Sequence, residues 1–237
     1  EMIEHIFLYR LTNDTGCAPC IFENGYKDTH LLSLACCKGG QLRCYKKNGK
    51  ITAVNTGLRW TIGEKLKNSI NEGKEKVYII GIYKNCILYI AILDKVIKMT
   101  EYYNSPEYSK RLDYIYNVSD SEDKEYNKVF QLYRNNNNKY FHPKEDKDQH
   151  RRDELGKYVL LSKSFAYFGK KHTEHRVTNE KLLSLMPKRQ ETKYYKTADT
   201  GFEQIKSLIE DHWDQESIVK EEPSERIKSG SKGCYQK

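Results

Sequence analysis

Apolar and polar positions alternate along HIFLYRLT (5–12), the pattern of a half-buried β-strand, and NDTG (13–16) ends it with turn residues. Residues 17–29 read as a loop. LLSLACC (31–37) is a short apolar run, strand or buried turn, stopped by the glycine pair at 39–40. Over 59–76 the pattern is mixed, and KLKNSINEGK predicts a short exposed helix ending at Gly73. VYIIGIY (77–83) and CILYIAILDKVIKM (86–99) flank Lys84 and Asn85 and predict a hairpin. Gly81 within the first run predicts a bulge or a close approach by another group.

Thr100 is placed to cap a helix, TEYYNSPEYSKRL, which Pro106 must bend or divide. YIYNV and KVFQLYR are weaker strand candidates on either side of the acidic turn SDSEDKE. The polar, breaker-rich segment 135–156 reads as a long loop of the functional or disordered kind. YVLLSKSFAYFG (158–169) carries the strongest strand pattern of the second half. VTNEKLLSLM (177–186) and TGFEQIKSLIEDHW (200–213) read as amphipathic helices, with Phe202, Ile205, Leu208 and Ile209 on one stripe. The expected fold is α+β, a curled and mainly antiparallel sheet with short flanking helices. Residues 1–175 form its domain, 176–213 a helical addition packed on it, and 214–237 a charged, disordered tail.

Composition narrows the partners. Hydrophobic residues make up 38% of the 237, a low share that 19 tyrosines offset with large rings carrying polar tips. The net charge of +8 favours anionic partners, chiefly nucleic acid or phosphorylated ligands, beside the plainer reading of a soluble, lysine-rich surface. The longest apolar stretch is interrupted by Asp94 and Lys95 and is no membrane span. The opening EMIEHIFLYRL lacks the basic region and cleavage site of an export signal. With seven cysteines, an odd number, the expectation is free thiols in a reducing, cytoplasmic setting.

Five of those cysteines, Cys17, Cys20, Cys36, Cys37 and Cys44, crowd one region. Cys17 and Cys20 have the spacing with which two thiolates grip one zinc. The adjacent pair Cys36 and Cys37 makes a poor second half of such a site, because neighbouring strand residues face opposite ways. A chain this long also needs no metal to fold, so neither metal nor cofactor is expected. Cys37, followed by Lys38 and two glycines with Arg43 nearby, has the electropositive surroundings of a reactive thiol or an anion site. Its plainer alternative is a small apolar filler. His150 and Asp153 are three residues apart and can meet on one helical turn as base and orienting carboxylate, with Arg151 and Arg152 suited to phosphate. In SFAYFGKKH (164–172), Phe165 and Tyr167 share one strand face and Phe168 takes the other. Lys170 begins a basic rim after them. Strand aromatics of this kind are either core or a stacking platform.

These segments resemble a family, the second type of nucleotide modification associated domain of bacteria and phages. DTG-x-AP (14–19) is similar to its aspartate–small–glycine–x–Ala–Pro start. LACCK (34–38) resembles its leucine–alanine–x–cysteine–lysine segment, which puts Cys37 on the family's cysteine, with Arg43 matching an arginine downstream. VYIIGIY, ILYIA and MTEYYNSPEY resemble its central strand pair and tyrosine-rich helix, and VLLSKSFAYFG its closing signature. EKVYIIG departs from the glycine–aspartate that often precedes the family's central strand. The resemblance implies a role around modified bases in DNA or nucleotides.

Two readings follow. In the first, a binding module, of the PUA-like small-barrel type, holds an extruded base. Phe165, Tyr167 or Phe168 stack on it, Asp14 bonds its edge, and Lys38, Arg43 and Lys170 hold phosphate. In the second, an enzyme acts on a base or nucleotide with Cys37 as nucleophile or acid and His150 with Asp153 as base and orienter. A nuclease ranks lower, for want of a carboxylate cluster suited to metal.

Overall fold

The computed structural model describes residues 2–12, 14, 16, 18–23, 26–27, 30–40, 42–47, 50–119, 131–134, 147–171 and 173–221, with the backbone alone at 22, 26–27, 42–47, 50–54, 117–119, 131–134 and 147–150. Strands β1 (Ile3–Leu11), β2 (Phe22–Glu23), β3 (Tyr26–Lys27), β4 (Leu32–Leu34), β5 (Leu42–Lys47) and β6 (Lys50–Asn55) precede helix α1 (Leu58–Asn71). β7 (Glu75–Tyr83), β8 (Cys86–Ile92) and β9 (Lys95–Lys98) lead to α2 (Met99–Asn104), β10 (Tyr116–Ser119), β11 (Gln131–Arg134) and α3 (Lys147–Leu155). β12 (Tyr158–Ser162) and β13 (Ser164–Tyr167) are followed by α4 (Glu180–Leu185), β14 (Thr192–Lys196), α5 (Phe202–His212) and β15 (Ile218–Val219).

Six strands form a mixed sheet in the order β14-β1-β7-β8-β13-β15. β1 and β7 run parallel, from Ile3 beside Glu75 to Leu11 beside Tyr83. A parallel pair needs a long crossover, and residues 12–74, including α1, provide it. β12 pairs antiparallel with β4 and β9 in a second, three-stranded sheet. Two strand pairs run from one sheet into the other. β8 passes to β9 through Leu93 and Asp94, and β12 passes to β13 at Lys163. The Ser162 hydroxyl pins that corner by donating to the Ile92 carbonyl at 2.6 Å.

The six-stranded sheet is covered on both faces. On one side, Phe7, Tyr9 and Leu11 pack with Leu58, Ile62, Leu66 and Ile70 of α1. On the other, Ile6, Leu8 and Ile80 pack with Phe202, Ile205, Leu208 and Ile209 of α5. Each fully buried side chain of this size contributes roughly 1.5–3 kcal/mol. β1 is therefore buried on both faces where alternation predicted one, because each face of the sheet meets a helix. The expected stripe of α5 lies in the core.

Other expectations change with the structure. The class is α+β, and most pairings are antiparallel, but among the described residues no strands close into a barrel. β14 and β15 end the sheet without pairing to each other. The exposed helix predicted at 65–73 is longer and starts at Leu58, because Leu58, Ile62, Leu66 and Ile70 repeat every four residues and are buried. The 86–99 run divides at Leu93 and Asp94 because its two halves belong to different sheets. Pro106 divides its helix, with a 3-10 turn over Pro106–Tyr108. The 135–156 loop contains α3. Residues 176–213 contribute β14 to the main sheet as well as helices, and β15 lies within the segment read as a tail. Residues 222–237 lie outside the described ones. Among the described residues no helix is long and apolar enough to cross a membrane.

Candidate functional site

A row of tyrosines crosses the six-stranded sheet. Tyr9 is level with Gly81, Gly81 with Tyr89, and Tyr89 with Tyr167 on neighbouring strands. Gly81 makes the row possible. A Cβ there would run into the Tyr89 ring and Leu11, and the strand register shifts between Gly81 and Ile82. Without a side chain in between, the Tyr9 and Tyr89 hydroxyls meet at 2.5 Å. The Tyr89 and Tyr167 rings stack with centroids 6.4 Å apart, and the Tyr167 hydroxyl donates to the carboxylate of Asp14. All three tyrosines are closed to solvent and Asp14 is 2% exposed. Burial raises each phenol's pKa above its usual value. Charge on Asp14 raises Tyr167 further, whereas the bond from Tyr89 partly offsets the rise at Tyr9.

The Tyr9 end of the row meets the loop that follows β4. Lys38 lays its ammonium over the Tyr9 ring, 5.1 Å from the centroid, and donates to the Arg10 carbonyl at 3.2 Å. Among the described residues no carboxylate pairs with it. Burial lowers its pKa, and the charge of neighbouring Cys37 partly restores it. Cys37 and Lys38 both adopt left-handed backbone, with φ of 55° and 46°, a conformation that side chains disfavour and that surrounding contacts must enforce.

Arg59, buried at the start of α1, supplies those contacts. Its guanidinium donates to the carbonyls of Cys37 at 2.7 Å, Tyr158 at 2.6 Å and Asp153 at 2.8 Å. Asp153 completes the clamp, its carboxylate accepting from the Cys37 amide at 2.7 Å and the Tyr116 hydroxyl at 2.7 Å. Gly39 has no room for a Cβ, which would meet the Arg152 carbonyl and Arg59. Gly39 thus admits α3 and Arg59 against the loop, and Gly40 makes room for the Asn55 side chain.

The remaining expected site residues divide. Phe165 is buried under the row on the Tyr167 face. Phe168 is buried on the opposite face, its ring stacked 3.7 Å from that of His175. Lys170 lies over the Tyr83 ring at 5.2 Å. Arg43 is on β5 and His150 on α3, with side chains outside the described residues. Arg151 and Arg152 are exposed on α3 beside the Cys37 loop. Cys20 and Cys36 are buried, while Cys17 and the Cys44 side chain lie outside the described residues. Among the described residues no group of three or more His, Cys, Asp or Glu side chains is placed to hold a metal.

A family model described as nucleotide modification associated domain 2 matches residues 3–230. The chain belongs to this family. No curated protein and no solved structure matches it. In this family member, the segments resembling the family's motifs supply Asp14, Cys37, Lys38, Tyr89 and Tyr167 to one place. Tyr9, Arg59 and Tyr116 were missed by sequence reasoning. Tyr9 needs the strand register to be noticed. Arg59 had a weak signal as a cation at the head of an apolar four-residue repeat.

Proposed function

We propose that this chain holds a base or nucleotide, one associated with modified DNA, at the tyrosine row. The observation that carries the reading is the convergence of Asp14, Tyr167, Tyr89, Tyr9, Lys38 and Cys37 from segments far apart in sequence. Three hydroxyls and a carboxylate form an array of donors and acceptors suited to the polar edge of a base. Lys38, with no carboxylate partner among the described residues, supplies charge for a phosphate. Lys170, Arg151 and Arg152 extend that charge toward a polynucleotide backbone, and Arg43 of β5 is a further candidate for a phosphate. Phe165 and Phe168 lie in the core, so the base is read by hydroxyls, with Phe165 as the floor beneath Tyr167. An open sheet serves this purpose as well as a closed PUA-like barrel.

The strained Cys37–Lys38 backbone favours a second reading, an enzyme that uses the Cys37 thiol on a base or nucleotide. In that reading Asp153 positions the loop through the Cys37 amide, and His150 on the same helix is the base.

Fluorescence anisotropy with oligonucleotides carrying ordinary or modified bases, and with free nucleotides, tests both. Asp14→Asn reduces discrimination among bases in the first reading. Cys37→Ser leaves binding intact in both and abolishes turnover only in the second. Absence of binding to DNA, oligonucleotides and nucleotides at low salt overturns both.

A further inference from the structure

The tyrosine row is closed to solvent, so a ligand enters only when a covering segment moves. Residues 214–221 border its Tyr167 end. Val219 is level with Tyr167 on β13 and packs against the same core cluster. The Lys220 amide donates to the Tyr167 carbonyl at 2.9 Å, and the charge of Glu221 bears on the Tyr167 phenol. The segment holds the sheet by a two-residue strand, and Ile218 is exposed.

Its end is fastened by two histidines. The Lys220 ammonium lies 3.0 Å from Nε2 of His175. His175 Nδ1 lies 3.0 Å from Nδ1 of His212, at the end of α5. An ammonium can only donate, so Nε2 of His175 accepts and its single proton is on Nδ1. That proton is donated to His212, whose Nδ1 accepts. Both imidazoles are therefore neutral in the fastened state. A further proton on either ring breaks one of the two bonds, and a proton on His175 also places its cation about 3.0 Å from the Lys220 ammonium.

We propose that residues 214–221 form a proton-sensitive strap, closed over the tyrosine row while His175 and His212 are neutral and released when they take up protons. Its role at a ligand site rests on the reading of the row given above. Burial lowers the pKa of His212, Asp211 opposes that effect and Lys220 adds to it. Glu174 lies 3.8 Å from both the Lys220 ammonium and His175 Nε2 and favours charge there. It is 55% exposed, so solvent screens it. The ion pair of Lys171 with Glu221, 3.7 Å apart, helps hold the strap's end. The sign follows from linkage. The released state binds protons with the ordinary imidazole pKa of about 6.5, so closure is complete above that pH and is lost progressively below it.

Trp213 reports the strap directly, because its indole N–H donates to the Glu216 carbonyl at 2.7 Å. In a Trp60→Phe background it is the remaining tryptophan of the chain's two. Between pH 7.5 and 5.5, Trp213 emission shifts to the red, and hydrogen-exchange protection of residues 218–221 falls by roughly tenfold or more after correction for intrinsic rates. His212→Gln and His175→Gln, which cannot take up the proton, abolish this response. Glutamine variants already open at pH 7.5, beside a responsive wild type, also assign the closure to the histidine pair. A wild type indifferent to pH, or an unchanged response in both variants, overturns the proposal. These readouts use no ligand. A responsive strap on a protein that binds no nucleotide at any pH defeats the functional reading alone, and nucleotide binding with an unresponsive strap defeats this one alone.

Discussion

The tyrosine row and the Cys37–Lys38 loop meet at Tyr9 but are held in place by different means. Register places the row. Tyr9, Tyr89 and Tyr167 stand where β1, β7, β8 and β13 pair, and that ladder is shared by many residues. The loop has no such ladder. Among the described residues the guanidinium and amide of Arg59 and the carboxylate of Asp153 hold its backbone. A hydroxyl can therefore be removed from the row while its frame persists, whereas the loop cannot lose its clamp and keep its shape.

The largest expected effect is at the clamp. Arg59→Met leaves the carbonyls of Cys37, Tyr158 and Asp153 without their guanidinium donor and takes away the buried cation that lies 4.0 Å from the Asp153 carboxylate. Breaking a buried pair of this kind costs about 3–5 kcal/mol, which urea unfolding will register as a lower midpoint at unchanged slope. Arg59→Lys recovers only part of it, because an ammonium lacks the planar fork that reaches three carbonyls. A loss under about 1 kcal/mol, within the range of an ordinary neutral hydrogen bond, would remove the contrast between the two regions.

The row has one vulnerable point, Gly81. Gly81→Ala forces a Cβ against the Tyr89 ring and Leu11, for an expected loss of about 1–3 kcal/mol. The added methyl also parts the Tyr9 and Tyr89 hydroxyls. Tyr9→Phe, which removes one hydroxyl and leaves the frame, is expected to cost about 1 kcal/mol. Thermal unfolding that ranks the two variants the other way would show that the hydroxyl bond, not the glycine gap, sets the row.

This ordering also explains what the sequence disclosed. Strand patterns mark β1, β7 and β13, and Gly81 was legible as a close approach, because both depend on neighbouring residues. Asp14, Cys37 and Tyr167 were legible through motif resemblance. Tyr9 and Tyr89 looked like ordinary strand aromatics. Their partnership depends on β1 lying parallel to β7 across the 12–74 crossover, and no local pattern encodes that. Arg59 stayed hidden for a related reason. A buried guanidinium is stable only with three carbonyl acceptors from distant segments, and those acceptors are main chain, identical at every residue. The His150 and Asp153 spacing was read as one helical turn, and α3 does carry both. The Asp153 carboxylate meets Cys37 and Tyr116, partners that spacing alone does not reveal.

The smallest effect belongs to Lys38, where the two regions touch. Lys38→Met removes one cation and no part of the Arg59 clamp, so stability changes little. If Lys38 meets a phosphate, the variant's DNA affinity depends less steeply on salt, by about 0.7–0.9 in the log–log slope. Between 50 and 200 mM salt that is a difference of roughly threefold. The pH dependence sharpens the test. Burial lowers the Lys38 pKa below that of a solvent-exposed lysine, so its charge is lost at a lower pH than that of a solvent-exposed lysine. In wild type the charge-dependent part of DNA affinity should begin to fall at a lower alkaline pH than in Lys38→Met, measured by anisotropy at fixed ionic strength. Superimposable alkaline profiles and equal salt slopes would take Lys38 away from the phosphate and leave it as the cation that caps the Tyr9 ring.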